Sequence, residues 1–389
     1  MALRYHPESQ SHLAGNCMNA AARFKKDDIL AEFPEIDSRY TLIGDEAIGE
    51  ISGFGAVWRA HDNWIDSTVA IKFSEHNLSD EVRLCREIDG ETARVFDFYK
   101  GVNGWEAYTM EHLEKPWSTL SSFIEKRRYK KSDIQFYFEC FEILRAILHG
   151  LSSMHGKPYQ RGSRVIHADI KPGNIFLLNK RKKRPHTVFT MPAYVDMVKL
   201  IDLGVSTYRG GRPIGYTLAY RPPQMDSVGP GFDLYAVAIT FAELITKQCP
   251  MHENLKNPAA IRRVLATRSS GSFFMDELAV EMIKRCKNAA TQSTHTAEKL
   301  ITYLDSKLFD REHLGLMCLR ELVKSGVGSG TKDELTKAIY PTIAKYWGWE
   351  RSSAKRKAVT DDFVDTLVEE GFVRKSTAPR RFVVATGAS

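Results

Sequence analysis

The sequence predicts an α+β chain with a small β-rich lobe, a larger helical lobe and a small α+β tail. From Tyr40, short runs over 40–43, 55–60 and 68–73 alternate as strands of an antiparallel sheet do. Residues 132–155 then carry an apolar side chain every three or four positions, which indicates a core helix. The C-terminal region patterns as three helices followed by a β-hairpin.

The changes of pattern predict the domain boundaries. We expect a leader over 1–39, a main domain over 40–305 with lobes 40–113 and 114–305, and a tail domain over 306–389. The leader is expected to be a poorly ordered or lobe-docking arm, in which Ala20 to Phe33 can form one amphipathic helix that ends before Pro34.

The composition excludes several classes of protein. The 389 residues are 43% apolar and 26% charged with a net charge of +7, as in an ordinary globular chain. The six cysteines are scattered without a CxxC pair, so neither a zinc site nor a disulfide framework is expected, and a reducing intracellular compartment (cytoplasm or nucleus) fits. No apolar run reaches the ~20 residues of a membrane span, and the N-terminus lacks a secretory apolar core.

One stretch concentrates the polar chemistry, VIHADIKPGNIFL over 165–177. It places Asp169, Lys171 and Asn174 on one short loop between apolar anchors. Phosphoryl transfer needs a group that orients a hydroxyl, a cation near the moving phosphate and a magnesium ligand. The loop carries residue types suited to each of these three tasks.

The loop resembles the protein kinase catalytic loop, H-R-D-x-K-x-x-N, with Ala168 in place of Arg. Downstream, Asp202-Leu203-Gly204 resembles the metal-binding D-F-G segment, with Leu203 in place of Phe. The sequence IKPGN over 170–174 resembles that of Ser/Thr-specific protein kinases. The resemblance to the protein kinase superfamily covers about residues 40–305 and implies a bilobal protein kinase-like fold.

The resemblance also implies roles for the polar residues. Asp169 would be the base or orienter of the incoming hydroxyl, and Lys171 would stabilise the γ-phosphate of ATP. Asn174 and Asp202 would ligate Mg²⁺ through hard oxygen atoms. Lys72, at the end of Val-Ala-Ile-Lys, would contact the α- and β-phosphates while a helix glutamate holds it.

Two glutamates compete for the place beside Lys72. Glu87 lies in an Arg-Glu dipeptide, but Gly90 and Glu91 follow it closely. Glu81 has apolar residues at +3, +4 and +7, which is one helical face. We favour Glu81, and because only nine residues separate it from Lys72, we expect the helix to be truncated at its start.

A glycine-rich turn, IGEISGFGAVW, precedes Lys72 and resembles the phosphate-covering loop of the family. Gly53 and Gly55 let backbone N–H groups approach phosphates without a Cβ in the way. The family pattern places its first two glycines at Glu50 and Ser52, so Gly49 would substitute if Ile51 is an insertion.

The adenine site is also implied by the resemblance. Met110 would be the gatekeeper, and the backbone of Glu111 to Leu113 would hydrogen-bond adenine. Val57 and Ala70 would lie above the ring and Phe176 below it.

The sequence departs from the family at several bracing positions. Ala168 cannot pair with a phosphorylated activation loop, so we predict activity that does not depend on that contact. Gln224 stands where the family has a buried Glu, and no Arg is present near Thr294, where its partner would be. The double absence leaves no stranded charge. Asp233 matches the aspartate that supports the catalytic loop from a buried helix.

The segment between Asn174 and Asp202 is about twice as long as is usual in the family and contains Lys180–Arg184, KRKKR. A second basic cluster runs from Lys126 to Lys131. Each cluster is either a solvated surface or a site for an acidic substrate, nucleic acid or nuclear import.

The tail resembles a winged-helix domain. Helices are predicted over 312–324, from a capping box at 331–334, and over 353–370, followed by a hairpin of 372–375 and 381–385. Basic residues gather at 351–357 and 374–381, which would face a groove of duplex DNA. A winged helix used for protein contact or dimerisation is the alternative.

The leading hypothesis is therefore a Mg²⁺- and ATP-dependent Ser/Thr protein kinase that acts on a protein substrate, with a tail that recruits it to DNA or a partner. Two other hypotheses remain open. One is a pseudokinase adaptor whose tail carries the function, and the other is a kinase for a small molecule, against which the protein-kinase-like segment 217–224 argues.

Overall fold

A computed structural model describes most of the chain. The described residues are 24–48, 55–88, 90–126, 134–156, 165–178, 198–211, 215–223, 228–268, 273–292, 294–309, 318, 322, 325–346, 364–365, 367–368, 373–378 and 380–384. They divide into two compact units. The N-terminal unit comprises residues 1–117 and 199–206, and the C-terminal unit comprises residues 118–198 and 207–389.

The N-terminal unit is built on a five-stranded antiparallel sheet in the order β1-β2-β3-β5-β4. The strands are β1 (Tyr40–Leu42), β2 (Ala56–Asp62), β3 (Ser67–Ser74), β4 (Val95–Lys100) and β5 (Glu106–Glu111). The helices are α1 (Lys26–Glu32), α2 (Pro34–Arg39) and α3 (Ser79–Glu87). Strands β6 (Trp117–Thr119) and β9 (Val198–Leu200) lie at the unit boundaries.

Strand β2 alternates in burial, whereas β3 and β5, in the middle of the sheet, are mostly buried. Along β2, Ala56, Trp58 and Ala60 are buried on one face, while Arg59 is exposed. Strand β3 pairs with β5 in a register that places Lys72 opposite Tyr108. Since side chains alternate between faces, Lys72 lies on the opposite face of the sheet from Trp58 and Ile71, whose face is called the Trp58 face below.

The N-terminal segment contains one helix more than the sequence predicts. In the described part of the helix predicted over 20–33, α1 begins at Lys26 and ends before Pro34, as expected. The second helix, α2, follows because Pro34 starts a new helix at a position where its missing N–H is not needed. Residues 24–39 belong to the core of this unit: Ile29, Phe33 and Ile36 are fully buried against the Trp58 face of the sheet. The described part of the predicted leader is thus an integral layer of the lobe.

The C-terminal unit is mainly helical, and the prediction of a β-rich lobe followed by a helical one is confirmed. Its longest helix, α5 (Ile134–Gly156), lies within two residues of the prediction, and α6 (Pro230–Thr246) is buried along nearly its whole length. The other helices are α4 (Leu120–Lys126), α7 (Pro258–Leu265), α8 (Phe273–Asn288) and α9 (Ala297–Leu304). Short strands are β7 (Val165–Ile166), β8 (Ile175–Leu178) and β10 (Thr207–Tyr208), and β7 pairs with β10.

The tail contains helix α10 (Lys332–Tyr346) and a three-stranded sheet in the order β11-β13-β12. Strands β12 (Val373–Lys375) and β13 (Arg381–Val384) form the predicted hairpin, while β11 (Ser329–Thr331) is a strand where a loop was predicted. The predicted capping box is present, since Thr331 N donates to the Glu334 carboxylate and Glu334 N donates to Thr331 Oγ1. Most of the helices predicted over 312–324 and 353–370 lies outside the described residues.

Several sequence predictions fall on residues that the structure does not describe. These are Gly49, Gly53, Gln224, the KRKKR cluster and most of the 126–131 cluster. Among the described residues, no helix has both the length and the apolar character to cross a membrane.

Candidate functional site

A buried ion-pair network forms on the face of the N-terminal sheet that carries Lys72. Lys72 Nζ, on β3, donates to both carboxylate oxygens of Glu81 at 2.8 and 3.0 Å and to Asp202 Oδ1 at 3.0 Å. Glu81 projects from the first turn of α3. The structure therefore brings together three residues that the sequence analysis singled out, and it selects Glu81.

The electrostatics of this network favour a charged lysine. Burial opposes the ammonium form, but the carboxylates of Glu81 and Asp202 outweigh it, so the pKa of Lys72 is raised. Glu87, the rival partner, instead has both carboxylate oxygens buried without a hydrogen-bond partner among the described residues. Gly204 approaches closely as well, since an added Cβ would lie 3.3 Å from Lys72 Nζ and Glu81 Oε2.

Other residues of this unit that are predicted to bind the nucleotide lie on β2, β3 and β5. Val57 pairs with Lys72 across β2 and β3, and Ala70 pairs with Met110 across β3 and β5. Gly55, the residue before β2, has φ +129°, and a Cβ there would lie 2.1 Å from the Phe73 carbonyl oxygen. Only glycine fits this close approach of two backbones.

The predicted hinge begins at Glu111, the last residue of β5. Its N–H donates to the Arg94 carbonyl, so an adenine contact at this residue would have to use its carbonyl oxygen. The Glu111 carboxylate accepts from Arg94 N at 3.3 Å and forms a close ion pair with Lys199, which sequence reasoning missed. Leu113 follows as a half-buried residue outside any strand.

The C-terminal unit holds the predicted catalytic loop. Asp169 Oδ2 lies 2.8 Å from Lys171 Nζ, and Asp169 Oδ1 accepts from Thr217 N at 3.0 Å. Lys171 Nζ also donates to Thr217 Oγ1 at 2.9 Å. Asn174 Nδ2 donates to Asp169 O and Oδ2, which leaves its carbonyl oxygen as the atom able to ligate a cation. The structure thus brings Asp169, Lys171 and Asn174 together.

Asp233, in the first turn of α6, supports the loop through hydrogen bonds to its backbone. This fully buried carboxylate accepts from His167 N at 2.9 Å and from Ala168 N at 2.8 Å. It also lies 2.8 Å from His155 Nε2, at the end of α5. The sequence pointed to Asp233, but His155 carried no signal because 78 residues separate it from its partner.

Ala168, where the family has Arg, takes a left-handed conformation with φ +67°. Its methyl group is buried with Ile166, Val228 and Phe232. Left-handed backbone costs a non-glycine residue about 1–2 kcal/mol, and the two N–H bonds of the neighbouring peptides to Asp233 offset that cost. This position therefore contributes an apolar contact and no cation.

A further cluster in this unit was not predicted from the sequence. The Tyr220 hydroxyl donates to Glu243 Oε2 at 2.5 Å, which links the 217–224 segment to α6. Burial raises the pKa of Glu243. The predicted adenine residue Phe176 lies in the same unit, half-buried on β8.

The tail presents a basic hairpin, here defined as β12, β13 and their connection. Its exposed basic residues are Arg374, Lys375, Arg380 and Arg381. Val383, at the centre of the sheet, is also exposed and pairs with Ser329 on one side and Arg374 on the other.

The donor sets fit Mg²⁺ and a nucleoside triphosphate. The Asp202 side chain is 42% exposed, and one of its carboxylate oxygens binds Lys72. Asn174 offers a second hard oxygen, and Lys72 offers a charged donor for phosphate oxygens.

The family described as "Protein kinase domain" matches residues 45–307. The interferon-induced, double-stranded RNA-activated protein kinase of Rattus norvegicus is 26% identical over 58% of this chain and 45% of that protein. Serine/threonine-protein kinase A of Synechocystis sp. is 27% identical over 55% of this chain and 42% of its own. Serine/threonine-protein kinase sid1 of Schizosaccharomyces pombe is 26% identical over 57% and 44%. The chain matches less than half the length of each of these relatives.

Proposed function

The chain belongs to the protein kinase family, and from this premise we propose that it is an active, Mg²⁺- and ATP-dependent Ser/Thr protein kinase. The observation that carries the proposal is the Lys72 ammonium held by Glu81 and Asp202, because a lysine fixed and charged in this way is ready to bind phosphate oxygens. The names of the relatives support the Ser/Thr class.

In the proposed reaction, Asp169 accepts a hydrogen bond from the substrate hydroxyl and aligns its oxygen for attack on phosphorus. Lys171, 2.8 Å from Asp169, places a positive charge where the transferred phosphoryl group gathers negative charge. Thr217 fixes both side chains through its N–H and hydroxyl groups. The proton of the hydroxyl leaves by way of Asp169 as the new P–O bond forms, while the bond between the γ-phosphorus and the β,γ-bridging oxygen breaks and ADP leaves.

Asn174 and Asp202 would hold Mg²⁺, and Lys72 would hold the α- and β-phosphates of ATP. Bound Mg²⁺ supplies charge neutralisation of the phosphate oxygens. Val57, Ala70, Met110 and Phe176 would enclose the adenine ring, with Glu111 and Leu113 as backbone partners.

The test is phosphate transfer by the purified full chain. Labelled ATP and Mg²⁺ are supplied with myelin basic protein, beside Asp169→Asn and the exposed matched control Asp66→Asn. We expect transfer by wild type and by Asp66→Asn, loss of at least ~100-fold in Asp169→Asn, and label on Ser or Thr after acid hydrolysis. Absence of transfer by wild type would favour the pseudokinase adaptor.

Control of activity is proposed to be independent of activation-loop phosphorylation through position 168. The buried methyl of Ala168 supports this, since it offers no charge to a phosphate. Full-chain protein treated with a phosphatase, and Ala variants of Ser206, Thr207 and Tyr208, should keep the wild-type rate. A loss of activity in one of them without loss of folding would contradict the proposal. Thr217→Ala is unsuitable here because Thr217 binds Lys171.

We further propose that the tail is a winged-helix-like module that recruits the enzyme to duplex DNA. The exposed basic hairpin supports this, because its residues suit phosphate contacts. Full-chain binding to a duplex should weaken with salt, and Arg374→Glu with Arg381→Glu should make the log–log salt slope shallower by about 2. Arg262→Glu, outside the tail, is the control. Salt-insensitive or absent binding would favour a protein partner.

A further inference from the structure

Four polar side chains share the Lys72 face of the N-terminal sheet. In the β3–β5 register, Lys72 is opposite Tyr108 and Ser74 is opposite Glu106. Residues two apart on a strand point to the same face, so Glu106 and Tyr108 both face the side on which Lys72 meets α3. Both side chains are buried.

Glu106 binds the start of α3. Its Oε2 accepts from Leu78 N at 2.5 Å and lies 3.5 Å from Ser79 Oγ. Leu78 is the residue that precedes the helix and has no side-chain cap of its own. The N-terminal end of a helix carries partial positive charge, so the buried Glu106 carboxylate that accepts from Leu78 N anchors this end.

Tyr108 binds Glu81 of the same helix. Its hydroxyl donates to Glu81 Oε1 at 2.9 Å, the oxygen that also accepts from Lys72. Glu81 therefore has a second partner, which restricts the rotation of its carboxylate. Burial and the nearby Glu81 carboxylate raise the pKa of Tyr108, so this hydroxyl stays a donor.

We infer that Glu106 and Tyr108 are positioning residues that hold α3, and hence the Glu81–Lys72 pair, in place within the N-terminal unit itself. The inference rests on the proposed kinase activity for its rate measurement. Only residues 75–78 connect β3 to α3, so the helix has no preceding turns from which another element could hold it. Strand β5 supplies the anchor at both points.

The test uses phosphatase-treated full-length protein carrying Glu106→Gln, Tyr108→Phe or both. The matched controls are Glu46→Gln, an exposed residue, and Tyr99→Phe, which removes a hydroxyl from the Tyr40 contact elsewhere in the sheet. We expect kcat with myelin basic protein to fall about tenfold in each variant, while the KM for that protein stays constant. The controls should keep the wild-type kcat.

Amide hydrogen exchange provides a readout that does not require activity. Exchange over residues 78–87 should become about tenfold faster in Glu106→Gln and in the double variant, while residues 56–62 keep wild-type protection. If wild type transfers no phosphate, the proposed function fails, but faster exchange at 78–87 still supports the positioning role. Unchanged exchange there, or an unchanged kcat in both variants of an active enzyme, would overturn the inference. Tyr108→Phe removes a single hydroxyl group, so it tests the idea even if Glu106→Gln does not fold.

Discussion

Replacement of Asp233 by asparagine tests whether one buried carboxylate organises the loop that carries Asp169. Asp233 Oδ1 accepts from Ala168 N, while Oδ2 accepts from His167 N and lies within hydrogen-bond distance of His155 Nε2. An asparagine keeps one acceptor and turns the other into an NH₂ donor. In either orientation, at least one buried backbone N–H then faces another donor.

The structure sets the expected magnitude. A buried donor left without its partner costs about 1–3 kcal/mol, and the remaining bonds lose the benefit of the negative charge, so we expect a loss of about 2–4 kcal/mol in the free energy of unfolding. Urea denaturation of the full chain would measure it as a lower midpoint at an unchanged slope. The corresponding replacement of a carboxylate by an amide at an exposed residue, Glu253→Gln, should change the free energy of unfolding by no more than about 0.5 kcal/mol. Equal midpoints for the two variants would refute the reasoning.

Two further substitutions have calculable outcomes. Glu32 is buried and accepts from both Asn103 N and Asn103 Nδ2 at 2.7 Å. Glu32→Gln should therefore lower the free energy of unfolding by about 1–3 kcal/mol. An unchanged urea midpoint would contradict this. Burial raises the pKa of Glu142 from its ordinary value of 4.5 to about 8. Between these two pH values the folded protein keeps a proton that Glu142 loses in the unfolded chain. The free energy of unfolding therefore falls as pH rises from about 4.5 to about 8. Glu142→Gln should therefore raise the urea midpoint more at pH 8 than at pH 5, and an equal effect at both pH values would contradict the buried carboxyl as its cause.

The parts of the site that lie close together in the sequence were the predictable ones. Asp169, Lys171 and Asn174 fall within six residues, so their spacing alone placed them on one loop. The choice of Glu81 followed from helical periodicity, which is also a local property. A resemblance then linked these residues to Lys72 and Asp202, which no spacing connects.

Contacts between distant residues could not be predicted. Nothing in the sequence pairs His155 with Asp233 or Glu106 with Leu78, because such partners are selected by tertiary packing. Strand β11 was missed for a related reason, since Ser-Gly-Thr has little strand propensity and extends only because β13 offers it a ladder.

The helices α1 and α2 cover the Trp58 face of the N-terminal sheet with the chain's own residues. Any protein that bound this face would have to displace helices that are covalently attached to the sheet. A short tether gives such helices an effective concentration on the order of millimolar or more. A separate protein that binds this face with micromolar affinity at a micromolar concentration would be outcompeted by the attached helices. Intramolecular competition therefore excludes weak partners from this surface.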